Sequence, residues 1–150
     1  MKSVSIKTNK FRLAIDDENG DRLGIMEFYP NDPNLVSRIQ KGYSAIKSII
    51  EKSQSELEVS DFDADSDDIM ANADFFEKIT KTDEELKKEL NKMFDSDFSS
   101  IFQGVNLAMP TSDGYLIENV LEAVMPEIEK VTTKFRKESE KKYQEFKEKH

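Results

Sequence analysis

The stretch YLIENVLEAVMPEIEKVTTKF, residues 115–135, decides the fold class. Ile117, Leu121, Val124, Ile128, Val131 and Phe135 recur at steps of four, three, four, three and four, a seven-residue repeat that lays one apolar stripe along a helix. Its first part, Ile117 to Val131, reads as a helix completing an intramolecular bundle. Pro126 lies inside the repeat; it removes one backbone hydrogen bond, and a kink is expected there. Upstream, Ser112 or Asp113 is placed to cap the helix, which should begin near Tyr115.

Downstream the stripe thins. Tyr143 and Phe146 stand among charges, and Lys134 with Glu138, Glu138 with Lys142, and Lys141 with Glu145 are spaced i,i+4. Residues 136–150 therefore read as a charged helical tail. No obvious core remains to cover its aromatics, so Phe135, Tyr143 and Phe146 are the candidate partner-binding residues, suited to a protein partner or to self-association.

Further upstream, Leu35, Ile39, Tyr43, Ile46 and Ile50 fall on one helical face. Asp32 and Pro33 suit the cap and first turn of that helix, which should run to about Leu57. Gly42 inside it costs up to about 1 kcal/mol relative to Ala, which points to a close packing partner across that turn. A second helical pattern follows through Ile69, Ala73, Phe76, Ile79, Leu86, Leu90 and Met93. Thr82-Asp83-Glu84-Glu85 matches a capping box within it, and one bent helix is the preferred reading. A short helical turn is expected around Phe98 to Phe102.

Nearer the start, Phe11, Leu13 and Ile15 alternate with Arg12 and Ala14, the period of a strand. Asn19-Gly20 supplies a turn, and residues 23–29 give a second strand. The expected architecture is mostly α (α+β): a β-hairpin over residues 10–29, then about three long helices, the last extended. One domain spans 1–150, with a helical body over 33–135 interrupted by an acidic linker over 58–68. Two strands alone are marginal in water, so the hairpin's apolar face should pack on this chain's helices, with extension of a partner's sheet as the alternative.

Composition narrows the chemistry. With 150 residues, 37% hydrophobic, the chain supports one modest core. The net charge of −9 argues against wrapping nucleic acid, whose phosphates require clustered Lys and Arg. The acidity is local: residues 58–114 carry about −10, while the flanking segments are nearly balanced. No segment is apolar enough to span a membrane and residues 1–5 lack a signal-like core, so a cytoplasmic protein is expected. There is no cysteine, the single histidine is His150, and no phosphate loop occurs among five glycines; no enzyme activity and no cofactor are expected.

Two other chemistries merit weighing. Asp63, Asp65, Asp67 and Asp74 sit at positions one, three, five and twelve of an EF-hand-like count. Asp68 occupies the place of the required glycine and an aspartate stands where the bidentate glutamate belongs, so a solvated acidic linker is the stronger reading and a calcium-responsive module the weaker. Glu118 and Glu122 share a helix face, as acidic residues near a helix start do for dipole reasons alone. A hydrolase built on a carboxylate pair ranks last.

The order of elements carries a resemblance. A hairpin ending in Phe28-Tyr29-Pro30-Asn31-Asp32-Pro33-Asn34 leads to a helix and an acidic linker, then Glu84-Glu85-Leu86-Lys87-Lys88-Glu89-Leu90-Asn91-Lys92-Met93-Phe94. Pro110-Thr111-Ser112-Asp113-Gly114-Tyr115-Leu116-Ile117-Glu118-Asn119 then opens the long helix containing Met125-Pro126-Glu127-Ile128-Glu129-Lys130. This resembles the tail assembly chaperones of long-tailed phages and prophages of Gram-positive bacteria. The resemblance implies a non-enzymatic protein of the host-cell cytoplasm that coats the tape-measure protein, keeps its helices soluble and recruits tail-tube subunits. A homo-oligomer is compatible with that role.

Overall fold

The computed structural model describes residues 1–58, 65 and 67–149. Strands β1 (Phe11–Asp16) and β2 (Arg22–Phe28) form an antiparallel hairpin, followed by helix α1 (Leu35–Glu58), a 3-10 turn (Ile69–Asn72) and helix α2 (Ala73–Phe94). A second 3-10 turn (Phe98–Phe102) and a minimal hairpin, β3 (Pro110–Thr111) with β4 (Gly114–Tyr115), lead into helix α3 (Leu116–Lys149). The architecture is the α+β one expected from sequence, with a hairpin and three helices, the last of 34 residues and thus about 51 Å long.

The first hairpin buries one face. Phe11 pairs with Phe28, Leu13 with Met26 and Ile15 with Gly24 on the covered side, while Arg12 and Glu27 pair outside at 3.0 Å. Asp17 organises the turn, its Oδ1 accepting from the N–H groups of Asn19 and Asp21. Within the Asn19-Gly20 pair only Gly20 takes a positive φ, +83°. A register shift between Ile15 and Asp16 sets Asp16 opposite Arg22, whose guanidinium it holds at 2.7 Å.

Aromatic stacking joins this hairpin to the helices. Phe11, Phe28, Phe94, Phe98 and Phe102 make consecutive ring contacts with centroids 5.0 to 6.4 Å apart, spacings at which tilted pairs add to their burial. The hairpin therefore packs within its own chain, on the end of α2 and the second 3-10 turn. Gly24 permits this, since a Cβ there would stand 2.9 Å from Ile101. Asn91 fixes the turn from α2, accepting from Ser99 N–H at 2.8 Å and donating to Ser99 Oγ at 3.0 Å.

Helices α1 and α2 lie against each other, and Gly42 explains how closely. A Cβ at Gly42 would fall 2.6 Å from Met93 Cε and 2.7 Å from Met93 Cγ, the packing partner that a mid-helix glycine implied. The buried line on α1 is Leu35, Gly42, Ile46 and Ser53. Tyr43, expected on it, stands instead at its border, 41% exposed; the stripe turns away because the glycine, not the tyrosine, meets α2.

Several local expectations are corrected. α1 begins at Leu35 rather than Pro33, with the Asp32 carboxylate accepting from Asn34 N–H and binding Arg38 at 2.9 Å. Arg38 also donates to the Met93 carbonyl at the end of α2. One helix rather than two runs through Thr82-Asp83-Glu84-Glu85, as the preferred reading had it. Thr82 donates back to the Lys78 carbonyl and approaches Ser53 Oγ at 3.2 Å, so its hydroxyl is satisfied inside a helix rather than at its start. Phe76 faces outward, 49% exposed, in edge contact with Phe75. Neither Ser112 nor Asp113 caps α3; both lie in the small hairpin's turn, and Glu118 reaches back to accept from Tyr115 N–H. α1 reaches Glu58 and Asp68 accepts from Met70 N–H at the first 3-10 turn; residues 59–64 and 66 of the expected acidic linker lie outside the described residues.

Candidate partner-binding surface

The repeat on α3 divides into buried and exposed parts. Ile117, Leu121, Val124, Ile128 and Val131 are buried, and Phe135 packs half-buried against the same core. From Arg136 to Lys149 every residue is exposed. About four turns of helix thus continue past the body. Tyr143 and Phe146 sit there, each 63% exposed. The structure therefore assigns Phe135 to the body and leaves Tyr143 and Phe146, three apart and on one side of the helix, as the outward aromatics. None of the expected i,i+4 ion pairs of this tail closes to 4 Å among the described residues, consistent with the small gain from pairing fully hydrated side chains.

α3 also stands off from the other helices, bringing almost none of its Cα atoms within 8 Å of α1 or α2. An open groove of about 690 Å³ results between α1 and α3, with Ile46, Ile50 and Leu121 in its floor and Glu51, Glu118 and Glu122 along its sides. Tyr43 borders it. Burial, and secondarily the Glu129 carboxylate on α3, raises the Tyr43 phenol above its ordinary value, so that this ring faces α3 as an uncharged group. On the other flank of α3 a groove of about 670 Å³ separates it from β1, floored by Leu13, Ile15, Val105, Leu116 and Val120.

Asp83 on α2 positions the loop beneath α3. Its Oδ1 accepts from Leu107 N–H at 2.7 Å, Oδ2 pairs with Lys87 at 3.0 Å, and the Lys87 ammonium also donates to the Val105 carbonyl at 2.9 Å. Leu107 is fully buried, and its carbonyl accepts from Ile117 N–H at the first turn of α3. The carboxylate read as part of a capping box is thus a clip that sets where α3 starts.

The remaining sequence candidates are not assembled into a site. Asp65, Asp67 and Asp74 belong to no group of three or more metal-ligating side chains among the described residues, and Asp63 lies outside them. His150 also lies outside the described residues. Glu118 is engaged by the Tyr115 amide, and with Glu122 it lines an open groove rather than an enclosed cleft. No helix among the described residues is long and apolar enough to cross a membrane. Sequence reasoning missed both grooves and the Asp83 clip; the phenylalanine ladder had a signal, since Phe94, Phe98 and Phe102 recur every four residues.

Compared with known proteins, the chain matches no protein-family model, no curated protein and no solved structure.

Proposed function

We propose that this protein is a non-enzymatic phage tail assembly chaperone that holds helices of the tape-measure protein and recruits tail-tube subunits. The observation that carries the reading is the end of α3, exposed from Arg136 to Lys149, which presents Tyr143 and Phe146 beyond the buried core. Helix-on-helix contact needs such an unburied aromatic face, and the open groove between α1 and α3 offers a second place for an amphipathic helix. The groove's Glu51, Glu118 and Glu122 outnumber its one cation, Lys47, which selects a partner helix with a basic flank. A net charge of −9 keeps a crowded complex soluble and favours release once competing surfaces form.

The test is co-elution of the 150-residue chain with a tape-measure fragment, read by light scattering on a sizing column. The parent chain should form a discrete complex. Tyr143→Asp with Phe146→Asp should abolish it while helicity and unfolding midpoint stay unchanged, because substitutions at exposed positions usually shift stability by about 0.5 kcal/mol or less. Retained binding by that variant, or its unfolding, refutes the role given to this segment.

A further inference from the structure

The first ten residues form neither helix nor strand, and residues 1–8 are all exposed, with Val4 at 88% and Ile6 at 79%. Apolar residues at alternate positions are the pattern of a strand that packs one face, yet nothing among the described residues covers them. The same segment is basic in an acidic protein: Lys2, Lys7, Lys10 and Arg12 precede the first acidic residue, Asp16.

A receiving surface of opposite character lies on the body. Among the described residues β1 pairs only with β2, which leaves its other edge without a strand. The groove beside α3 is lined by the consecutive residues Leu13, Ala14 and Ile15 and runs along β1 to the hairpin's turn end, where Leu23 of β2 joins it. Its floor is apolar and its rim carries Asp16, Asp17, Glu18 and Glu127. Asp16 is held by Arg22, whereas Glu18 and Glu127 have no cationic partner among the described residues.

We propose that residues 2–8 of one copy add as a strand to the open β1 edge of a second copy, seating Val4 and Ile6 in this groove and setting Lys2 and Lys7 against its acidic rim. Seven extended residues span about 23 Å, enough to cover the six of β1. The third strand would also relieve the marginal stability of a two-stranded sheet and cover an edge otherwise open to indiscriminate pairing.

Exchange between copies is favoured over folding back in the same chain for two reasons. Lys10 is anchored on the β2 side, 3.5 Å from Glu27 and above the Tyr29 ring, and Asn9 turns the chain with φ +62°. A fold-back along β1 from that point would set Lys7 beside Arg12, cation against cation. An arm from another copy is free to choose a register that brings Lys7 to Asp16–Glu18. This assignment is independent of tail assembly, and Tyr143 and Phe146 play no part in it.

The absence of cysteine makes the test direct. Ile6→Cys and Ala123→Cys chains, the latter altered at an exposed residue lining the groove, are mixed under mild oxidation. Lys88→Cys, exposed on α2, replaces Ala123→Cys as the control. Disulfide-linked dimers between the Ile6→Cys and Ala123→Cys chains should exceed those with Lys88→Cys at least tenfold. Adding Lys2→Glu and Lys7→Glu to the Ile6→Cys chain should lower the yield several-fold without changing its melting. Equal linkage to both partners overturns the proposal. So does a yield indifferent to the two charge reversals. A double Ile6→Cys, Ala123→Cys chain that links only within itself, at any dilution, would likewise overturn exchange in favour of fold-back.

Discussion

Replacing Gly42 by Ala tests whether α1 and α2 are held at the distance their contact suggests. In an isolated helix the change gains about 1 kcal/mol, because Gly loses more backbone entropy on ordering. Here the new methyl would meet Met93 Cε at 2.6 Å and Cγ at 2.7 Å. The terminal Cε can rotate away, but Cγ lies near the backbone and Met93 is fully buried, so its escape displaces other core atoms. Overpacking of this kind costs about 1–3 kcal/mol. The net expectation is a loss of about 1 kcal/mol, a fall of roughly 2–4 °C in melting temperature for a chain of this size. The control is Met93→Ala, which costs about 2–5 kcal/mol by itself but removes the obstacle. In that background Gly42→Ala should stabilise by about 1 kcal/mol, giving a coupling of about 2 kcal/mol in a urea-unfolding double-mutant cycle. A gain of the same size in both backgrounds would show that the helices are not in tight contact at Gly42.

Asp83→Ala should cost about 1–3 kcal/mol by orphaning the buried Leu107 amide, and Asp83→Asn, which keeps an acceptor oxygen, should cost less in the same thermal melt; equal losses would dissociate the clip from that bond. Leu121→Asp or Ile128→Asp, at positions 5% and 1% exposed, should each unfold the body by placing a charge in the core, seen as lost cooperativity by circular dichroism. The Asn34 amide, and then the Arg38 guanidinium, hold the Asp32 carboxyl below its ordinary value of 3.8. The native state therefore binds fewer protons than the unfolded chain, so this contribution is present above that value and lost as pH falls through the lower native one. Urea midpoints between about pH 5 and pH 2 should consequently fall further for the parent than for Asp32→Asn; parallel curves would contradict the assignment.

The fold was legible wherever a long period recurred. The repeat from Ile117 to Val131 named a buried helical face, alternation from Phe11 to Ile15 named a strand, and Gly42 announced a neighbour that proved to be Met93. What failed was local chemistry that a distant group could claim. Thr82 and Asp83 look like a helix start because cap and interior use the same side chains; the outcome was set by Ser53 and Leu107, 29 and 24 residues away. Tyr43 and Phe76 satisfied helical spacing yet lie on borders, since periodicity gives the direction of a face but not the width that its neighbour covers. The site was legible only in part: Tyr143 and Phe146 stood out as aromatics beyond the core, whereas grooves depend on how far α3 stands from α1 and β1, a distance no single segment encodes.

That spacing has a consequence for how binding and stability relate. α3 is fastened to the body by one stripe, and the grooves open on either side of it, with Glu122 lining one and Ala123 the other, both exposed. Adjacent residues on a helix point about 100° apart, so these neighbours reach different surfaces while the core stripe lies elsewhere on the circumference. Leu121 belongs to both the core and a groove, which makes it unsuitable for separating the two roles; Glu122 and Ala123 belong to a groove alone. A bulky or reversed charge at either position blocks one flank at a stability cost near that of ordinary surface changes, and the aromatics at 143 and 146 lie farther along the same helix. One helix thereby carries three surfaces that can be altered one at a time, and loss of a given association can be traced to a surface rather than to a weakened fold.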